Sequence, residues 1–456
     1  MKKVAVIDIV GLSESVIGEF TPFIADYIKK HHLQNIKPVL PAVTTTSQST
    51  YLTGKYPETH GIVGNGWYDH SDAEVKFWKQ SNHLVEAEKI WEVAKKKDAS
   101  FTCAKMFWWY NMYSSADYSV TPRPQYHADG VKAQDCYAHP ASLRDELQSE
   151  LGTFPLFNFW GPNANIISTK WIADASIYVD QKYNPTLNLI YLPHLDYCLQ
   201  KFGNDFSKIQ KELGEIDQVV KQLVSHFESV GAEIILLSEY GINPVHQPIH
   251  INRFLREKGY LAIREERGLE LLDAGASMAF SASDHQIAHI YIQDQSKIEQ
   301  IKQELSTLSG IKLVLDKKEQ EDYHIQHKRS GDLVLIAEDH AWFTYYYWLD
   351  DAKAPDFARL VDIHRKPGYD PVEMFMDPKN PFIKLKAAYK LARKLSGFRY
   401  LMNVIPLDAH LIKGSHGSPF VDKQYYPIFV SSKEEKKEIE STEVFNKILN
   451  TIFPNQ

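Results

Sequence analysis

The chain has 456 residues, of which 44% are hydrophobic and 24% are charged, a composition typical of a globular protein rather than a disordered or fibrous one. Its 51 Lys and Arg against 58 Asp and Glu give a formal charge of −7, which argues against binding along a nucleic-acid polymer. The length is about three times that of an ordinary domain, so we expect one large domain or a core with an insertion.

Cysteines and apolar segments narrow the class of protein further. Cys103, Cys136 and Cys198 are too few and too scattered for a disulfide framework or a cysteine-ligated zinc site. A metal site would therefore be built from carboxylates and some of the 19 histidines. The N-terminal apolar run is short and interrupted by Asp8, and no apolar stretch is long enough to span a membrane. We expect a cytoplasmic protein without a transmembrane segment, and the sequence does not reveal its oligomeric state.

Short apolar runs alternate with helical patterns along the chain. Buried parallel strands are predicted at 4–10, 187–192 and 233–237, and helices at 13–30 and 206–230. Further strands are predicted at 286–292, 311–315, 332–336 and 426–430, with a helix at 296–308. This alternation predicts an α/β fold around a mostly parallel sheet.

Two regions interrupt the alternation. Residues 107–140 are aromatic and irregular, and residues 340–410 combine an aromatic run, a loop rich in Pro and Asp, and a basic helix. We expect a single domain over 1–456, with an aromatic insertion at about 107–140 and a cap-like insertion at about 340–410. Such excursions from a sheet commonly carry lids and specificity.

The basic helix is predicted between Lys384 and Arg399, where six cationic residues interleave with Leu, Tyr and Phe. It could contact an anionic lipid surface or an acidic substrate. A solvated helix whose apolar face packs on the core is the more common arrangement.

Acidic residues stand at or just after the ends of three predicted strands. Asp8 lies at the end of the first strand, Asp196 follows the strand at 187–192, and Glu239 follows the strand at 233–237. Because ligands of open α/β sheets bind beyond the carboxyl ends of the strands, we expect these carboxylates to meet at one edge. Uncompensated carboxylates repel one another, so the pattern predicts divalent metal ions between them.

The segment 41–54 is rich in hydroxyl side chains. Six Ser and Thr residues fall within positions 44–50, at the predicted start of a helix that Gly54 ends. A helix N-terminus suits a phosphate, and a metal-activated hydroxyl there could attack phosphorus. Taken alone, the segment favours an ordinary N-cap with a polar helix face.

The residues from Pro41 to Asn65 resemble the nucleophile segment of type I phosphodiesterases and nucleotide pyrophosphatases, in the alkaline phosphatase superfamily. The matching positions, aligned without a gap, are Pro41, Thr44, Thr53-Gly54, Tyr56-Pro57, His60-Gly61 and Asn65. The resemblance implies an alkaline-phosphatase-like three-layer sandwich with a cap-type insertion. It selects Thr44, not Thr45 or Thr46, as the nucleophile, and implies that Asn65 and the backbone N–H of Thr45 bind a phosphate oxygen.

The resemblance extends to the metal ligands of that family. Glu239-Tyr240-Gly241 stands where the family has Asp-His-Gly, and His416 matches a metal-binding histidine. Two zinc ions are implied, and their ligands would be Asp196, Gln200 and His416 for one ion, and Asp8, Thr44, Glu239 and Tyr240 for the other. The stretch 329–334 and the surroundings of His416 also resemble the phosphonoacetate hydrolase branch.

Two family histidines are absent, because Gln200 and Tyr240 occupy their positions. Amide and phenol oxygens are harder ligands than imidazole, so manganese or magnesium is an alternative to zinc. Other residues that could restore ligands are His194, Asp284, His285 and His364. We expect His194 to point to the same side of a strand as Asp196, although a structural or surface histidine is more common at each of these positions.

The resemblance implies a metal-dependent hydrolase that cleaves phosphodiester or pyrophosphate bonds of a small phosphorylated substrate through Thr44. Two metals about 4 Å apart would bind the attacking and leaving oxygens. Alternatives are a phosphonate hydrolase or phosphomonoesterase on the same fold, and a non-catalytic ligand-binding member that has lost its metal-binding histidines. A sulfatase is disfavoured, because Thr44 is not the Cys or Ser that is converted to formylglycine.

Overall fold

A computed structural model describes residues 1–433 and 437–454 of the chain. The predicted domain 1–456 includes 434–436 and 455–456, which lie outside the described residues. The strands are β1 (Val4–Ile9), β2 (His32–Lys37), β3 (Gly66–Asp69), β4 (Glu74–Phe77), β5 (Cys103–Met106), β6 (Tyr118–Pro122), β7 (Gln125–Tyr126), β8 (Lys132–Ala133), β9 (Cys136–His139), β10 (Leu187–Leu192), β11 (Glu233–Leu237), β12 (Asn243–Pro244), β13 (Gln247–Ile249), β14 (Ile263–Glu266), β15 (Leu269–Leu272), β16 (Ala279–Asp284), β17 (Ile287–Ile292), β18 (Ile311–Leu315), β19 (Leu333–Ala337), β20 (Ala341–Phe343), β21 (Gly414–Ser415), β22 (Ile428–Ser431) and β23 (Glu438–Glu440). The α-helices are α1 (Pro22–Lys30), α2 (Thr44–Thr53), α3 (Pro57–His60), α4 (Ile90–Lys97), α5 (Ala141–Leu151), α6 (Ile166–Tyr183), α7 (His194–Phe202), α8 (Phe206–Ser229), α9 (Ile251–Glu257), α10 (Ile298–Ser306), α11 (Glu319–Asp322), α12 (Ile383–Leu395) and α13 (Glu443–Ile452).

A nine-stranded sheet forms the centre of the fold, in the order β23-β2-β22-β11-β1-β10-β5-β6-β9. The five neighbours from β11 to β6 run parallel, whereas β22 and β9 are antiparallel to the strands beside them. Every residue of β1 and β10 is buried, as expected for apolar strands that have helices on both faces. The predicted α/β class and mostly parallel sheet are confirmed.

Helices cover the sheet in layers. In one group, α6 packs on β10 and α8 packs on β11, and the two helices contact each other. In another group, α13 packs on β1, α2 and α4. The longest helix, α8, buries apolar residues at helical spacing, including Ile209, Leu213, Ile216, Val220, Leu223 and Phe227. Each such side chain contributes roughly 1.5–3 kcal/mol by leaving water.

A second core surrounds an antiparallel sheet in the order β16-β17-β19-β18. It contains three of the predicted strands, and β18 has the predicted bounds of 311–315. Only His285 and Gln286 separate β16 from β17, and His285 has φ of +60°, which a tight two-residue hairpin requires. This turn brings Asp284 and His285 to the carboxyl edge of the main sheet.

Three expectations from the sequence need correction. The predicted helix at 13–30 is a short 3-10 turn at Glu14–Val16 followed by α1, which begins at Pro22, a residue well suited to a first helical turn. The region 107–140 was expected to leave the sheet, yet it supplies β6 and β9 at one sheet edge. Cross-strand pairing, which local sequence does not show, adds these two strands to the sheet.

The third correction concerns α12, the basic helix of the predicted cap-like insertion. Its apolar face was expected to pack on the core, but each of its 13 residues is at least partly exposed. The aromatic run before it behaves differently, since residues 342–348 are buried in the second core. Among the described residues, no helix is long and apolar enough to cross a membrane.

Candidate active site

The register of the central sheet brings three acidic residues together. Asp8 on β1 lies beside Tyr191 of β10 on one side and Leu237 of β11 on the other. Asp196 and Glu239 follow these two neighbouring strands, so all three carboxylates belong to the same edge. Their exposed fractions are 0% for Asp8, 8% for Asp196 and 1% for Glu239. The predicted convergence at the carboxyl edge is therefore present.

The helix α2 is polar in sequence and yet every residue in it is buried. Its hydroxyls are satisfied inside the protein, because Ser49, Thr50 and Thr53 each donate to the carbonyl four residues earlier, at 2.7–2.9 Å. Gly54 ends the helix in the left-handed conformation, with φ of +65°. The unusual burial of a Ser/Thr helix follows from this internal pairing, which removes the usual penalty for buried hydroxyls.

Three consecutive threonines at the start of α2 have different partners. The Thr45 hydroxyl donates to the Gly64 carbonyl at 2.8 Å, and that of Thr46 donates to the Ile62 carbonyl at 3.1 Å. The Thr44 hydroxyl instead lies 2.9 Å from the phenolic oxygen of Tyr240. Of these three hydroxyl groups, the one on Thr44 contacts the cluster of residues that follow the strands.

The predicted phosphate-binding groups form a chain of hydrogen bonds. The backbone N–H of Thr45 donates to the side-chain oxygen of Asn65 at 3.1 Å. Asn65 in turn donates to Asp284, from its backbone N–H at 2.7 Å and from its side-chain amide at 3.1 Å. Asp284, which the sequence offered only as a substitute ligand, thus orients Asn65 at the N-terminus of α2.

The first half of the site, which we call the Asp8 half, consists of Asp8, Thr44 and Glu239. Three carboxylate oxygens accept no hydrogen bond of good geometry from a described residue: both oxygens of Asp8 and Oε2 of Glu239. The other Glu239 oxygen accepts from the Gln48 amide, whose own oxygen accepts from the Trp109 N–H at 2.7 Å. The Asp8 half therefore contains three buried carboxylate oxygens without a hydrogen bond of good geometry, while Glu239 and Gln48 lie close enough to Asp8 to lower its pKa in part.

The second half, which we call the Asp196 half, consists of Asp196, Gln200 and His416. Both Asp196 oxygens are occupied, one by the Tyr240 hydroxyl at 3.2 Å and the other by the Gln200 amide at 2.8 Å. His416 Nδ1 donates to the Ala42 carbonyl at 2.8 Å, which leaves Nε2 as a bare acceptor 3.7 Å from Asp196. This half is closed by hydrogen bonds within the protein.

Tyr240 stands between the two halves. Its ring stacks on the ring of His416 with centroids 3.5 Å apart, and its hydroxyl contacts both Thr44 and Asp196. The next residue must be glycine, because a Cβ at position 241 would lie 2.3 Å from the Tyr425 carbonyl oxygen. Strand β11 and this close approach together fix the position of Tyr240.

The predicted substitute histidines are placed very differently. His285 is in the site, since its ring lies 3.9 Å from that of His416 and its Nδ1 donates to Asp284 at 2.7 Å. His194 is not, because α7 begins at this residue and positions two apart on a helix point in opposite directions. Its Nε2 lies 3.6 Å from Glu215 of α8. His364 is exposed, with Nδ1 3.4 Å from the Phe77 carbonyl.

The electrostatics of the site reflect burial without cationic partners. No described Lys or Arg forms an ion pair with Asp8, Asp196, Glu239 or Asp284. Burial raises the pKa of Asp8 and of Asp196 to about 7 each. It also raises the pKa of Glu239, with a further contribution from the charge of Asp8. Near neutral pH these carboxyl groups retain protons unless a cation stabilises their charge.

The donor atoms show where a metal ion fits. Among the described residues, no three His, Cys, Asp or Glu side chains are grouped so as to hold an ion. The Asp8 half nevertheless fits one hard cation, since unsatisfied carboxylate oxygens lie with the hydroxyls of Thr44 and Tyr240. The Asp196 half fits an ion poorly in this arrangement, because Gln200 and Tyr240 direct N–H and O–H donors at Asp196 and supply no imidazole lone pair.

Two residues of the site were missed from the sequence. Gln48 lies four positions after Thr44 on α2, so helical spacing could have identified it as sharing the face of the nucleophile. Tyr369 donates its hydroxyl to Gln200 at 2.9 Å and stacks on His285 with centroids 3.6 Å apart. It lies in the irregular region after β20, where no local pattern points to the site.

Arg329 and the His60-Gly61 pair, both singled out in the sequence, fix the segment that follows α2. Arg329 donates to the carbonyls of Gly61 and Leu84 at 2.7 and 2.8 Å. His60 is buried, which lowers its pKa to about 3, and its Nε2 lies 3.1 Å from the Thr50 hydroxyl. These residues hold α2 in place and do not reach the carboxylates.

Comparisons with known proteins agree with this architecture. The family model for type I phosphodiesterase/nucleotide pyrophosphatase matches residues 4–370. An uncharacterized pyrophosphatase/phosphodiesterase of Schizosaccharomyces pombe is 25% identical over 238 residues, which are 49% of this chain and 41% of that protein. The bis(5'-adenosyl)-triphosphatase ENPP4 of Bos taurus is 24% identical over 265 residues, 52% of this chain and 49% of ENPP4. The matched regions thus span half or less of these curated relatives.

Solved structures resemble the whole chain. Phosphonoacetate hydrolase from Sinorhizobium meliloti 1021 superposes with a TM-score of 0.62 at 13% identity, covering 99% of this chain and 96% of that one. Murine ectonucleotide pyrophosphatase/phosphodiesterase 5 superposes with a TM-score of 0.59 at 14% identity, covering 99% and 95%. These likenesses show the alkaline-phosphatase-like fold. Because the family model covers most of its length, the chain belongs to the type I phosphodiesterase/nucleotide pyrophosphatase family.

Proposed function

We propose that this protein hydrolyses phosphodiester or pyrophosphate bonds of a small substrate, with Thr44 as the nucleophile. The observation that carries the proposal is the position of the Thr44 hydroxyl, at the N-terminus of α2 and 2.9 Å from the Tyr240 hydroxyl, which in turn contacts Asp196. Thr45 and Thr46 direct their hydroxyls to backbone carbonyls instead. Membership of the family supports the same reaction class.

Asn65 and the Thr45 N–H bind the phosphoryl group in this proposal. A phosphoryl oxygen takes the place of the Asn65 side-chain oxygen as acceptor of the Thr45 N–H. Asp284 keeps hold of Asn65 through two hydrogen bonds and so aims the remaining amide N–H at the substrate. The positive end of the α2 dipole adds to the attraction for the anion.

A divalent cation belongs to the Asp8 half in this proposal. The family is generally dependent on divalent metals, and the unsatisfied oxygens of Asp8 and Glu239 are suited to a hard ion such as magnesium or manganese. When bound there, the ion would lower the pKa of the Thr44 hydroxyl and neutralise the buried carboxylates. The available donor atoms therefore favour one bound ion over the predicted pair of zinc ions.

The chemistry assigned to the chain has two steps. The Thr44 oxygen forms a bond to phosphorus while the bond from phosphorus to the leaving oxygen breaks, and the Thr44 proton is released to solvent. The product is a phosphorylated Thr44 that keeps the remaining ester group of the substrate. Water then attacks phosphorus and releases Thr44 with its hydroxyl restored. Tyr240 donates its own proton in a hydrogen bond to Asp196, so its oxygen accepts a hydrogen bond from the Thr44 hydroxyl. This bond orients the Thr44 lone pairs toward the substrate.

The experiment that tests this function is trapping of the covalent intermediate. Wild type, Thr44→Ala and the control Thr46→Ala are mixed with bis(p-nitrophenyl) phosphate and manganese, quenched in acid and mapped by mass spectrometry. We expect a p-nitrophenyl phosphate ester on Thr44 in wild type and in Thr46→Ala. Thr44→Ala should lose kcat by several orders of magnitude without a change in melting temperature. Near-normal turnover of Thr44→Ala would overturn the assignment.

A second candidate is a non-catalytic ligand-binding protein. The closed Asp196 half supports it, because hydrogen bonds from Gln200 and Tyr240 replace the contacts of a second ion. Metal analysis of the purified protein separates the two functions, since bound divalent metal favours an enzyme and its absence favours binding alone. Phosphonoacetate and phosphomonoesters should be assayed beside the diester, and the predicted cytoplasmic location stays a prediction.

A further inference from the structure

The helix α12 presents an apolar surface to solvent. Its outward face consists of Leu385, Ala388, Leu391, Ala392 and Leu395, all of which are exposed. Leu385 is 68% exposed and Leu395 is 88% exposed, values that are unusual for large aliphatic side chains. The opposite face is partly covered, where Ile383 and Ala387 pack on the second core. The amphipathic pattern of α12 is thus inverted relative to a helix that packs its apolar face inward.

Aromatic residues extend this surface at both ends of the helix. Phe382 precedes α12 and is 68% exposed, and Phe398 follows it at 64%. Asp377 precedes α12 and Val404 follows it. The backbone N–H of Asp377 donates to the Val404 carbonyl at 2.8 Å, so the chain before the helix is joined to the chain after it. We call residues 382–401 the α12 patch. Large contiguous apolar patches of this kind mark interaction sites in monomeric proteins.

The charge of the α12 patch is opposite to that of the rest of the chain. It contains no Asp or Glu, and its cations are Lys384, Lys386, Lys390, Arg393, Lys394 and Arg399. The other residues have 45 Lys and Arg against 58 Asp and Glu, a charge of −13. No described carboxylate forms an ion pair with any of these six cations. A surface complementary to the patch is therefore anionic as well as apolar.

Four of the six cations border the apolar face, Arg399 follows the helix, and Lys384 lies on the outward face itself, one turn before Ala388. Lys386, Lys390, Arg393 and Lys394 lie on the partly covered flanks, while Leu385 and Leu395 point away from the protein. The guanidinium of Arg393 lies over the rings of Tyr389 and Phe398, at 5.9 and 5.8 Å. This arrangement is typical of helices that lie in the plane of a bilayer, where long cationic side chains reach the headgroups.

We propose that the α12 patch docks on the surface of a bilayer that contains anionic phospholipid. The leucines and phenylalanines enter the boundary between headgroups and acyl chains, and the Lys and Arg side chains contact the lipid phosphates. A protein partner fits less well, because protein interfaces are depleted in lysine at their centre. The inference is independent of the proposed hydrolysis, since no residue of the patch belongs to the active site.

The first test measures insertion at one position. The three native cysteines are buried, so an environment-sensitive dye can be attached selectively to Leu395→Cys. Vesicles of phosphatidylcholine with about 30% phosphatidylglycerol should shift the dye emission to the blue, and vesicles of phosphatidylcholine alone should not. The control is Ile167→Cys, at a residue that is 54% exposed on α6 and should give no shift.

The second test separates charge from apolar contact in the full chain. Replacing Lys384, Lys390 and Lys394 by Gln should weaken sedimentation with anionic vesicles about 100-fold, because each cation contributes roughly fivefold. Replacing Lys29, Lys30 and Lys221, exposed on α1 and α8, changes the net charge equally and should leave binding intact. Leu385→Asp with Leu395→Asp should also abolish binding, with an unchanged melting temperature in the absence of vesicles.

Two outcomes would overturn the membrane assignment. Equal binding to neutral and anionic vesicles, or no binding to either, would show that the patch does not recognise anionic lipid. A dimer in solution that Leu395→Asp dissociates, without vesicle binding by wild type, would show that a second copy of the chain covers the patch.

Discussion

The Asp8 half and the Asp196 half of the site follow neighbouring strands and match the same family pattern, yet their carboxylates are partnered differently. Asp8 accepts no hydrogen bond from a described residue, whereas both oxygens of Asp196 are occupied. The difference arises from Gln200 and Tyr240, which stand where the family has histidines. Each directs a hydrogen-bond donor at Asp196, while a metal-binding imidazole nitrogen directs a lone pair at the ion. This pair of residues thus satisfies the carboxylate of one half by hydrogen bonds and leaves that of the other half without them.

Removing the Asp8 carboxylate should have the largest effect on the open half. We expect Asp8→Asn to abolish detectable manganese binding in calorimetry and to lower kcat by more than about 100-fold, because it removes a proposed ligand. The metal-free variant should melt no lower than wild type at pH 8, since a buried, unsatisfied charge is gone. The matched control is the exposed Asp26→Asn on α1. Unchanged metal binding by Asp8→Asn would place the ion elsewhere.

Shortening Glu239 tests how tightly the same half is built. Glu239→Asp should lower both metal affinity and kcat by roughly 10- to 100-fold, because the carboxylate retreats from the ion and from the Gln48 amide. Gln48→Glu, measured in parallel, should weaken activity through the same contact. A gain of both metal affinity and turnover in Glu239→Asp would instead mean that the longer Glu239 side chain has impaired the site.

Restoring the family histidines should open the closed half. Gln200→His combined with Tyr240→His frees both Asp196 oxygens and adds one imidazole beside Asp196 and His416 and a second between the two halves, so zinc affinity should rise at least about tenfold. The control combination Gln200→Ala with Tyr240→Phe frees Asp196 without supplying imidazole, and should not bind zinc more tightly. Equal zinc affinity in wild type and the histidine variant would show that the hydrogen bonds of Asp196 do not exclude the ion.

The pH dependence of stability should reveal the uncompensated carboxylates with a smaller effect. Burial raises the folded-state pKa of Asp8 and of Asp196 from 3.8 to about 7. Above pH 4 these groups ionise in the unfolded chain but remain protonated in the fold, so stability falls as the pH rises toward 7. The melting temperature of the metal-free protein should drop by several degrees over this window. Manganese should reverse the drop above pH 7, and a flat profile would contradict the prediction.

Much of the site could be read from the order of residues. The gap-free match from Pro41 to Asn65 gave the family, and the apolar runs before Asp8, Asp196 and Glu239 gave their common edge. These inferences succeed because strand ends and helix starts are local features, and a parallel sheet brings them to one side. Helical spacing would also have indicated Gln48, since it lies one turn after Thr44 on α2.

Other features depended on contacts between distant parts of the chain. His194 was expected beside Asp196, but α7 begins one residue after Pro193 and turns the histidine toward Glu215. Tyr369 enters the site from an irregular segment, and its position depends on the hairpin that carries His285. Spacing along the chain does not encode such packing, because it is decided by which surfaces meet in three dimensions.

The sequence by itself determined the family, the α/β class, the carboxylates at the sheet edge and the position of Thr44 in its segment. Only the tertiary structure decided that Tyr240 closes the Asp196 half, that β6 and β9 join the sheet, and that α12 turns its leucines to solvent. The physical reason is that periodicity reports which residues share a face of an element. Whether that face meets the core, another side chain or a separate surface depends on the rest of the fold.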